Sequence, residues 1–183
     1  PILVFRNHSG TFTEITASLG LDKYPGFWNW VITGDFVGDG RLDIAASNWG
    51  RNTQYERFRA QPLKLFHGDL DGDGTVDVIE AYYEPRLMKW MPRAPLWIAG
   101  KSMPFLRERW NTHEAFSLAD LEQIYGDRLK SARELSATWL ESTVFLNRST
   151  RIEARALPIE AQMSPAFAVC AADLDGDGQE DLL

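Results

Sequence analysis

The residues most able to do chemistry in this chain are aspartates that recur three times with glycine in one short pattern. The pattern spans residues 35–43, 69–77 and 173–181, here named loop 1, loop 2 and loop 3. In loops 2 and 3 aspartate stands at positions one, three, five and nine, and the glycine at position six permits a sharp turn. Carboxylates spaced in this way form an oxygen-rich cage for a hard cation, and calcium, which accepts about six to eight oxygens, suits it.

The spacing also predicts which oxygens would bind the ion, because the backbone carbonyl at position seven joins the carboxylates. The predicted ligands in loop 2 are Asp69, Asp71, Asp73, the Thr75 carbonyl and Asp77. Those in loop 3 are Asp173, Asp175, Asp177, the Gln179 carbonyl and Asp181. Loop 1 has Val37 at position three and keeps Asp35, Asp39, the Arg41 carbonyl and Asp43. Two calcium sites are therefore predicted, with a third in loop 1 that is weaker or completed by water.

Loop 2 also satisfies the spacing of an EF-hand, with Glu80 at position twelve. An EF-hand needs a helix on each side of its loop. Residues 61–68 alternate and contain a proline, and residues 76–83 are rich in β-branched and aromatic side chains, so both flanks are typical of strands. Strand-borne loops are favoured, and an EF-hand-like or dockerin-like calcium sensor and a plain acidic surface turn are the alternatives.

The remaining elements follow from periodicity. Residues 28–33 and 42–47 around loop 1 are typical of strands, whereas 167–172 before loop 3 fit either a strand or a helix. Residues 143–147 predict another strand, with 151–157 as its hairpin partner. Between loops 2 and 3, Ser117 is predicted to cap a helix that runs to Tyr125, and a second helical stripe continues from Leu129 to Trp139. Residues 86–104 are predicted to form an ordered but irregular loop.

A strand, the aspartate loop and a second strand, repeated, resemble the FG-GAP or VCBS repeat of calcium-binding β-propellers, which also occurs in integrin α-subunit heads. Residues 3–16 resemble the opening strand pair of such repeats, and residues 34–36 and 40–44 resemble their GDF and DGRLD blocks. Residues 48–53 and 161–165 are similar to bacterial secreted members of the ASPIC/UnbV-associated type. The likeness covers most of the chain outside roughly 85–140; Val37 and the lack of a literal FG…GAP signature depart from it.

The resemblance implies a mainly β fold, a partial β-propeller with a helical insertion. The implied division is residues 1–84 as blades with loops 1 and 2, residues 85–140 as the insertion, and residues 141–183 as a continuation with loop 3. It also implies a secreted, extracellular or periplasmic chain in which calcium is structural and a propeller face binds protein or carbohydrate, as in cell adhesion. An accessory propeller of a larger secreted polysaccharide-active enzyme is the alternative. The expected partners are the remaining blades or another copy of the chain.

Composition narrows the classes of function. The net charge of −7 disfavours nucleic acid, and no apolar run is long enough for a membrane helix. The three histidines share no spacing and no HExxH or GxSxG motif is present, so we expect no catalysis. The single cysteine, Cys170, excludes an internal disulfide and is expected to be buried and inert. Because the chain starts at Pro1 and stops just after loop 3, we expect it to be a piece of a longer polypeptide.

Overall fold

The computed structural model describes all residues from 1 to 183. The chain is 31% strand and 22% helix, and its sheets are antiparallel and do not close into a barrel, so the predicted mainly β class is confirmed. None of the helices combines the length and the apolar character that crossing a membrane requires.

The strands are short and the α-helices are confined to the middle of the chain. The strands are β1 (Phe5–His8), β2 (Thr11–Glu14), β3 (Trp30–Gly34), β4 (Asp43–Ser47), β5 (Leu63–Gly68), β6 (Asp77–Glu84), β7 (Lys89–Pro92), β8 (Arg133–Ala137), β9 (Thr143–Asn147), β10 (Ile152–Ala156), β11 (Ala171–Ala172) and β12 (Asp181–Leu182). The α-helices are α1 (Leu96–Ser102), α2 (Phe105–Arg109), α3 (His113–Leu118), α4 (Leu121–Tyr125) and α5 (Arg128–Ser131). Short 3-10 helices cover Ala17–Leu19, Leu21–Lys23, Glu56–Phe58 and Ile159–Gln162.

The chain forms two compact units, and their bounds differ from the predicted division. Unit 1 contains residues 1–56 and 137–183, and unit 2 contains residues 57–136. Loops 1 and 3 therefore belong to the same unit. Loop 2, which we placed with loop 1, instead belongs with the helices of unit 2.

Unit 1 is built around a four-stranded antiparallel sheet in the order β10-β9-β4-β3. Loop 1 connects β3 to β4, where Gly34 pairs with Asp43. Loop 3 connects β11 to β12 in a separate hairpin, and β1 and β2 form another. The predicted strands around loop 1 and the hairpin of β9 with β10 are confirmed. Of residues 167–172, which fitted a strand or a helix, only Ala171–Ala172 form a strand, and none is helical. Phe145 on β9 is fully buried and packs edge-on against Tyr24 and Trp28.

Two segments noted in the sequence meet in unit 1. The carbonyl of Gln162 accepts hydrogen bonds from the backbone N–H groups of Arg51 and Asn52. Gly50 lies so close that a Cβ there would be 2.6 Å from the same carbonyl oxygen, and its φ of +73° also favours glycine. The Gln162 side chain, 2% exposed, bonds to both backbone groups of Ser142. Residues 48–53 are thus held by a segment more than a hundred residues away.

Unit 2 combines a sheet in the order β7-β6-β5-β8 with all five α-helices. Loop 2 connects β5 to β6, where Gly68 pairs with Asp77. Phe66 and Ile79 are cross-strand partners, and both are buried in one cluster with Leu106 and Ile124 from the helices. The helices therefore cover the face of the sheet that carries these two side chains. Strands on both sides of all three loops rule out the helix-flanked geometry of an EF-hand.

The prediction of an irregular loop over residues 86–104 was wrong, because this segment contains β7 and α1. Trp90 and Met91 pair with Tyr83 and Tyr82, which extends the sheet of unit 2. The residues after them turn into α1, where Leu96 is buried in the core. Pairing with a neighbouring strand satisfies the backbone of this proline-rich segment in a way that its composition did not indicate.

The helix boundaries also differ from the predicted ones. Thr112, not Ser117, caps α3, and Asp120 starts a new helix, α4, through a capping box with Gln123. The second predicted stripe, 129–139, is helical only as far as Ser131 and then becomes β8, which pairs with β5. Cys170 is exposed, so the prediction of a buried thiol was wrong.

Candidate metal centres

Loops 2 and 3 share one backbone scaffold. The first aspartate of each loop accepts two backbone N–H groups: Asp69 bonds to Gly72 at 2.7 Å and to Gly74 at 3.0 Å, and Asp173 bonds to Gly176 and Gly178 at 2.8 and 3.0 Å. The glycines adopt φ values between +78° and +89°, which other residues rarely reach. These bonds close each loop into a tight turn whose remaining aspartates can share one centre.

Three predicted ligands come together in each of these loops. Carboxylate oxygens of Asp69, Asp71 and Asp77 lie within 4.8 Å of one another in loop 2. Those of Asp173, Asp175 and Asp177 do the same in loop 3. The ninth-position aspartates also brace the turns, because Asp77 accepts the Leu70 N–H at 3.1 Å and Asp181 accepts the Leu174 N–H at 3.0 Å. Hard carboxylate oxygens at this separation fit a divalent cation such as calcium.

The electrostatics of loop 2 also fit a bound cation. Asp77 is only 4% exposed, and burial raises the pKa of its carboxyl group, with smaller contributions from the charges of Asp71, Asp73 and Asp69. Asp73 differs, because hydrogen bonds from the Thr75 hydroxyl and backbone N–H lower its pKa. The loop thus holds a desolvated carboxylate among like charges, and a divalent ion would offset this repulsion.

Tyr125 is a neighbour of loop 2 that the sequence did not indicate. Its side chain is 2% exposed, and burial raises the pKa of its hydroxyl group, with a smaller contribution from the negative charge of Asp77. The residue lies on α4, and Arg128 on α5 donates a hydrogen bond to the Leu70 carbonyl at 2.8 Å, so helices of unit 2 lie beside loop 2. No local pattern connects Tyr125 with loop 2.

Without divalent ions, Asp77→Asn should raise the unfolding temperature at pH 7 by a few degrees. A carboxyl group with a raised pKa binds its proton more readily in the folded chain, so ionised Asp77 lowers the free energy of unfolding at neutral pH. This loss of stability disappears as the pH falls from the raised pKa of Asp77 in the folded chain to the ordinary pKa of an aspartate. Asparagine removes the charge, and its side-chain oxygen can still accept the Leu70 N–H. Thermal unfolding in chelator between pH 7 and pH 4 should show the difference from wild type shrinking with acidity.

Asp73→Asn is the matched control, and it should change the stability at pH 7 in the opposite direction. The lowered pKa of Asp73 means that its ionised form contributes stability above the ordinary pKa, and this contribution is lost as the pH falls through the lowered one. The variant should therefore be less stable than wild type at pH 7. An Asp77→Asn chain that unfolds below wild type at pH 7 in chelator would contradict the electrostatic account of loop 2.

Loop 1 differs from the other two. Asp35 accepts the N–H groups of Asp39 and Gly40 at 3.0 and 2.7 Å, and the Gly40 bond is the main cause of its lowered pKa. Asp39, however, forms an ion pair with the guanidinium of Arg41. Asp43 is fully buried and accepts the Asn147 N–H at 2.7 Å. The carboxylates of loop 1 do not form a three-member cluster like those of loops 2 and 3.

Loop 3 contacts loop 1 directly within unit 1. Glu180 Oε2 accepts the backbone N–H of Asp35 at 2.6 Å, and a Cβ added at Gly34 would overlap the Glu180 carboxylate. The Gln179 side chain lies beside Gly38. The motif spacing assigned Gln179 only through its carbonyl and did not assign Glu180, because nothing local indicates that the two loops are neighbours.

Comparison of the chain with models of protein families, with curated proteins and with solved structures gave no match. Its function is therefore inferred from its own residues and geometry and from the resemblance of its repeated motif.

Proposed function

We propose that this chain is a non-catalytic, calcium-stabilised segment of a secreted β-propeller of the FG-GAP/VCBS type. The observation that carries the proposal is the repetition in loops 2 and 3. Each loop joins two antiparallel strands, has the same hydrogen-bonded turn and brings three carboxylates within 4.8 Å. Such a site neutralises its own aspartates with the ion and holds the two strand ends together.

The topology of unit 1 supports the propeller assignment. Its main sheet has four antiparallel strands, the usual size of a propeller blade. Loop 1 joins β3 to β4 in this sheet, and loop 3 occupies the same kind of turn between β11 and β12. Two loops of the same sequence motif in contact through Glu180 are expected of neighbouring blades. Further blades, or another copy of the chain, are the proposed partners.

An extracellular or periplasmic location agrees with this chemistry. Calcium sites of extracellular modules are usually weak, with dissociation constants of about 0.1–1 mM, and they suit surroundings rich in calcium. Most residues of loops 2 and 3 are exposed, whereas Leu70 and Asp77 are buried and Asp71 and Asp181 are half-buried, as expected for such sites.

We also propose that an apolar surface of unit 1 binds protein or carbohydrate. A cavity of about 620 Å³ is lined by residues of the N-terminal segment, of β3 and of the two positions before β3, including Leu3, Phe5, Trp28 and Trp30. Leu3, Phe5 and Trp30 are each about half exposed. Aromatic side chains placed in this way can pack on a sugar ring or on an apolar side chain of a protein.

Titration calorimetry of the chelator-stripped chain tests the calcium proposal. We expect two calcium ions per chain and much weaker binding of magnesium, which demands a stricter octahedral geometry. The far-ultraviolet circular dichroism spectrum should keep its shape on calcium addition, because strands and not helices flank the loops. An absence of calcium binding would contradict the proposal, and a large calcium-induced gain of helix would favour a sensor.

A further inference from the structure

We propose that Arg41 supplies the cation of loop 1, so that its guanidinium replaces the divalent ion proposed for loops 2 and 3. Loop 1 would then stay closed without metal, and the chain would bind two ions although it has three loops. The comparison with loops 2 and 3 rests on the proposed function, but the role of Arg41 in loop 1 does not.

The same contact recurs in all three loops, with a charge in only one of them. The residue at position seven donates its backbone N–H to the aspartate at position five: Arg41 to Asp39 at 3.1 Å, Thr75 to Asp73 at 2.7 Å, and Gln179 to Asp177 at 2.8 Å. Each of these residues also donates from its side chain to that aspartate. In loops 2 and 3 the side-chain donor is neutral, so it does not cancel the negative charge of the carboxylate. In loop 1 the donor is a guanidinium, which pairs with the carboxylate.

The guanidinium is also fixed in place. Arg41 Nε donates to the carbonyl of Asn147 on β9 at 2.8 Å while its Nη2 pairs with Asp39. A second guanidinium, that of Arg148, lies 3.9 Å from the same Asp39 oxygen. Charge-assisted hydrogen bonds of arginine are stronger than neutral ones, and the rigid fork of the side chain can hold two acceptors at once. Asp39 therefore faces positive charge without any metal.

The residue at position three of loop 1 also supports Arg41 as the cation of this loop. Val37 is partly buried and packs against the cluster of Ala45, Val144 and Leu146, so the position that offers a ligand in loops 2 and 3 here contributes to the core. The missing carboxylate and the added guanidinium change the charge of the loop in the same direction. Both changes remove the need for a divalent ion.

Asp43 is the residue that most favours the rival view, in which loop 1 binds an ion. Its Oδ2 atom is buried and has no hydrogen-bond partner, so this atom could bind a cation. Its Oδ1 atom, however, is held by the N–H of Asn147, the residue whose carbonyl holds Arg41. Asp43 therefore attaches loop 1 to β9, and the variant Asp43→Asn separates the two views, because the amide keeps the acceptor and removes the charge.

Amide hydrogen exchange in the presence of chelator tests the role of Arg41. In wild type we expect the N–H groups of Asp39 and Gly40 to be equally protected with and without calcium. Arg41→Gln should lower their protection at least tenfold in chelator, and Arg41→Lys should restore part of it. Arg6→Gln, at an exposed position on β1, is the control and should leave loop 1 unchanged. Protection that appears only with calcium, or that survives Arg41→Gln, would overturn the proposal.

Calcium stoichiometry provides an independent measurement. Wild type, Asp39→Asn and Asp43→Asn should all bind the same number of ions. Loss of one ion from Asp39→Asn or Asp43→Asn would overturn the assignment of Arg41. If wild type binds no calcium at all, the proposed function fails, while the exchange experiment in chelator still decides whether Arg41 closes loop 1.

Discussion

In millimolar calcium the chain should unfold at a clearly higher temperature than in chelator, and Asp71→Ala or Asp175→Ala should each remove the contribution of one ion. At about 10 mM calcium, which is about 10–100 times a dissociation constant of 0.1–1 mM, an ion stabilises the folded state by about 1.4–2.7 kcal/mol per site. In a chain of this size about 1 kcal/mol corresponds to roughly 2–4 °C. Each variant should therefore lose about 3–11 °C of calcium-dependent stabilisation. Scanning calorimetry with and without calcium measures this directly.

The two variants should act on different units. Asp71 belongs to unit 2 and Asp175 to unit 1, so amide exchange should place the loss of calcium-dependent protection in β5 and β6 for the first variant. For the second variant it should lie in β11 and β12. Asp22→Ala, an exposed aspartate outside the loops, is the control and should leave the calcium effect intact. Identical melting of wild type in calcium and in chelator would refute structural calcium in this chain.

Gln162→Leu should lower the free energy of unfolding by about 3 kcal/mol, because two backbone groups lose their partner and each buried polar group left without one costs roughly 1–3 kcal/mol. The buried Gln162 side chain accepts the Ser142 N–H at 2.9 Å and donates to the carbonyls of Ser142 and Leu157 at 2.9 and 3.1 Å. Leucine has a similar volume but no polar atoms in its side chain. In the variant the Ser142 N–H and the Leu157 carbonyl would therefore lose these partners, whereas the Ser142 carbonyl keeps its hydrogen bond from the Leu157 N–H.

Urea unfolding of the variant should give this loss as a lower midpoint with an unchanged slope. Gln61→Leu, the same substitution at an exposed position, should change the free energy of unfolding by less than about 0.5 kcal/mol. Residues 48–53 should also lose protection from exchange in the Gln162 variant, because the segment that holds them depends on Gln162. A Gln162→Leu chain as stable as wild type would show that water can replace these bonds.

The strands around the loops were predictable because their signals are local. Alternation, β-branched residues and the aspartate–glycine turns lie within a few residues of one another, and a short hairpin needs little else. The same holds for β9 and β10, which are joined by a short turn. The predictions for segments 86–104 and 129–139 failed for two different reasons. Strand β8 forms by pairing with β5, which lies before all five helices in the chain, and composition does not specify a distant partner. Strand β7 pairs with its neighbour β6 across residues 85–88, and there the proline-rich composition concealed a local hairpin.

In the aspartate loops, too, local features were predictable from the sequence and long-range contacts were not. Motif spacing was enough to indicate Asp69, Asp71 and Asp77, and Asp173, Asp175 and Asp177, as groups that could share an ion, because the members of each group lie close together along the chain. Spacing treated loop 1 as a weaker version of the same site. It did not indicate that the Arg41 side chain pairs with Asp39, although an arginine at position seven was visible and could have suggested it.

The amino-acid sequence by itself determined the three turns, the strands that enter and leave them and the carboxylates that loops 2 and 3 bring together. These features depend on interactions between residues that are close along the chain. Only the tertiary structure decided that loop 2 belongs with the helices, that Glu180 joins loop 3 to loop 1, and that Asn147 on β9 holds Arg41 against Asp39. The contacts of Glu180 and Asn147 join residues more than a hundred positions apart, and the place of loop 2 depends on which segments share a core. Long-range packing determines both, and no local sequence pattern encodes it.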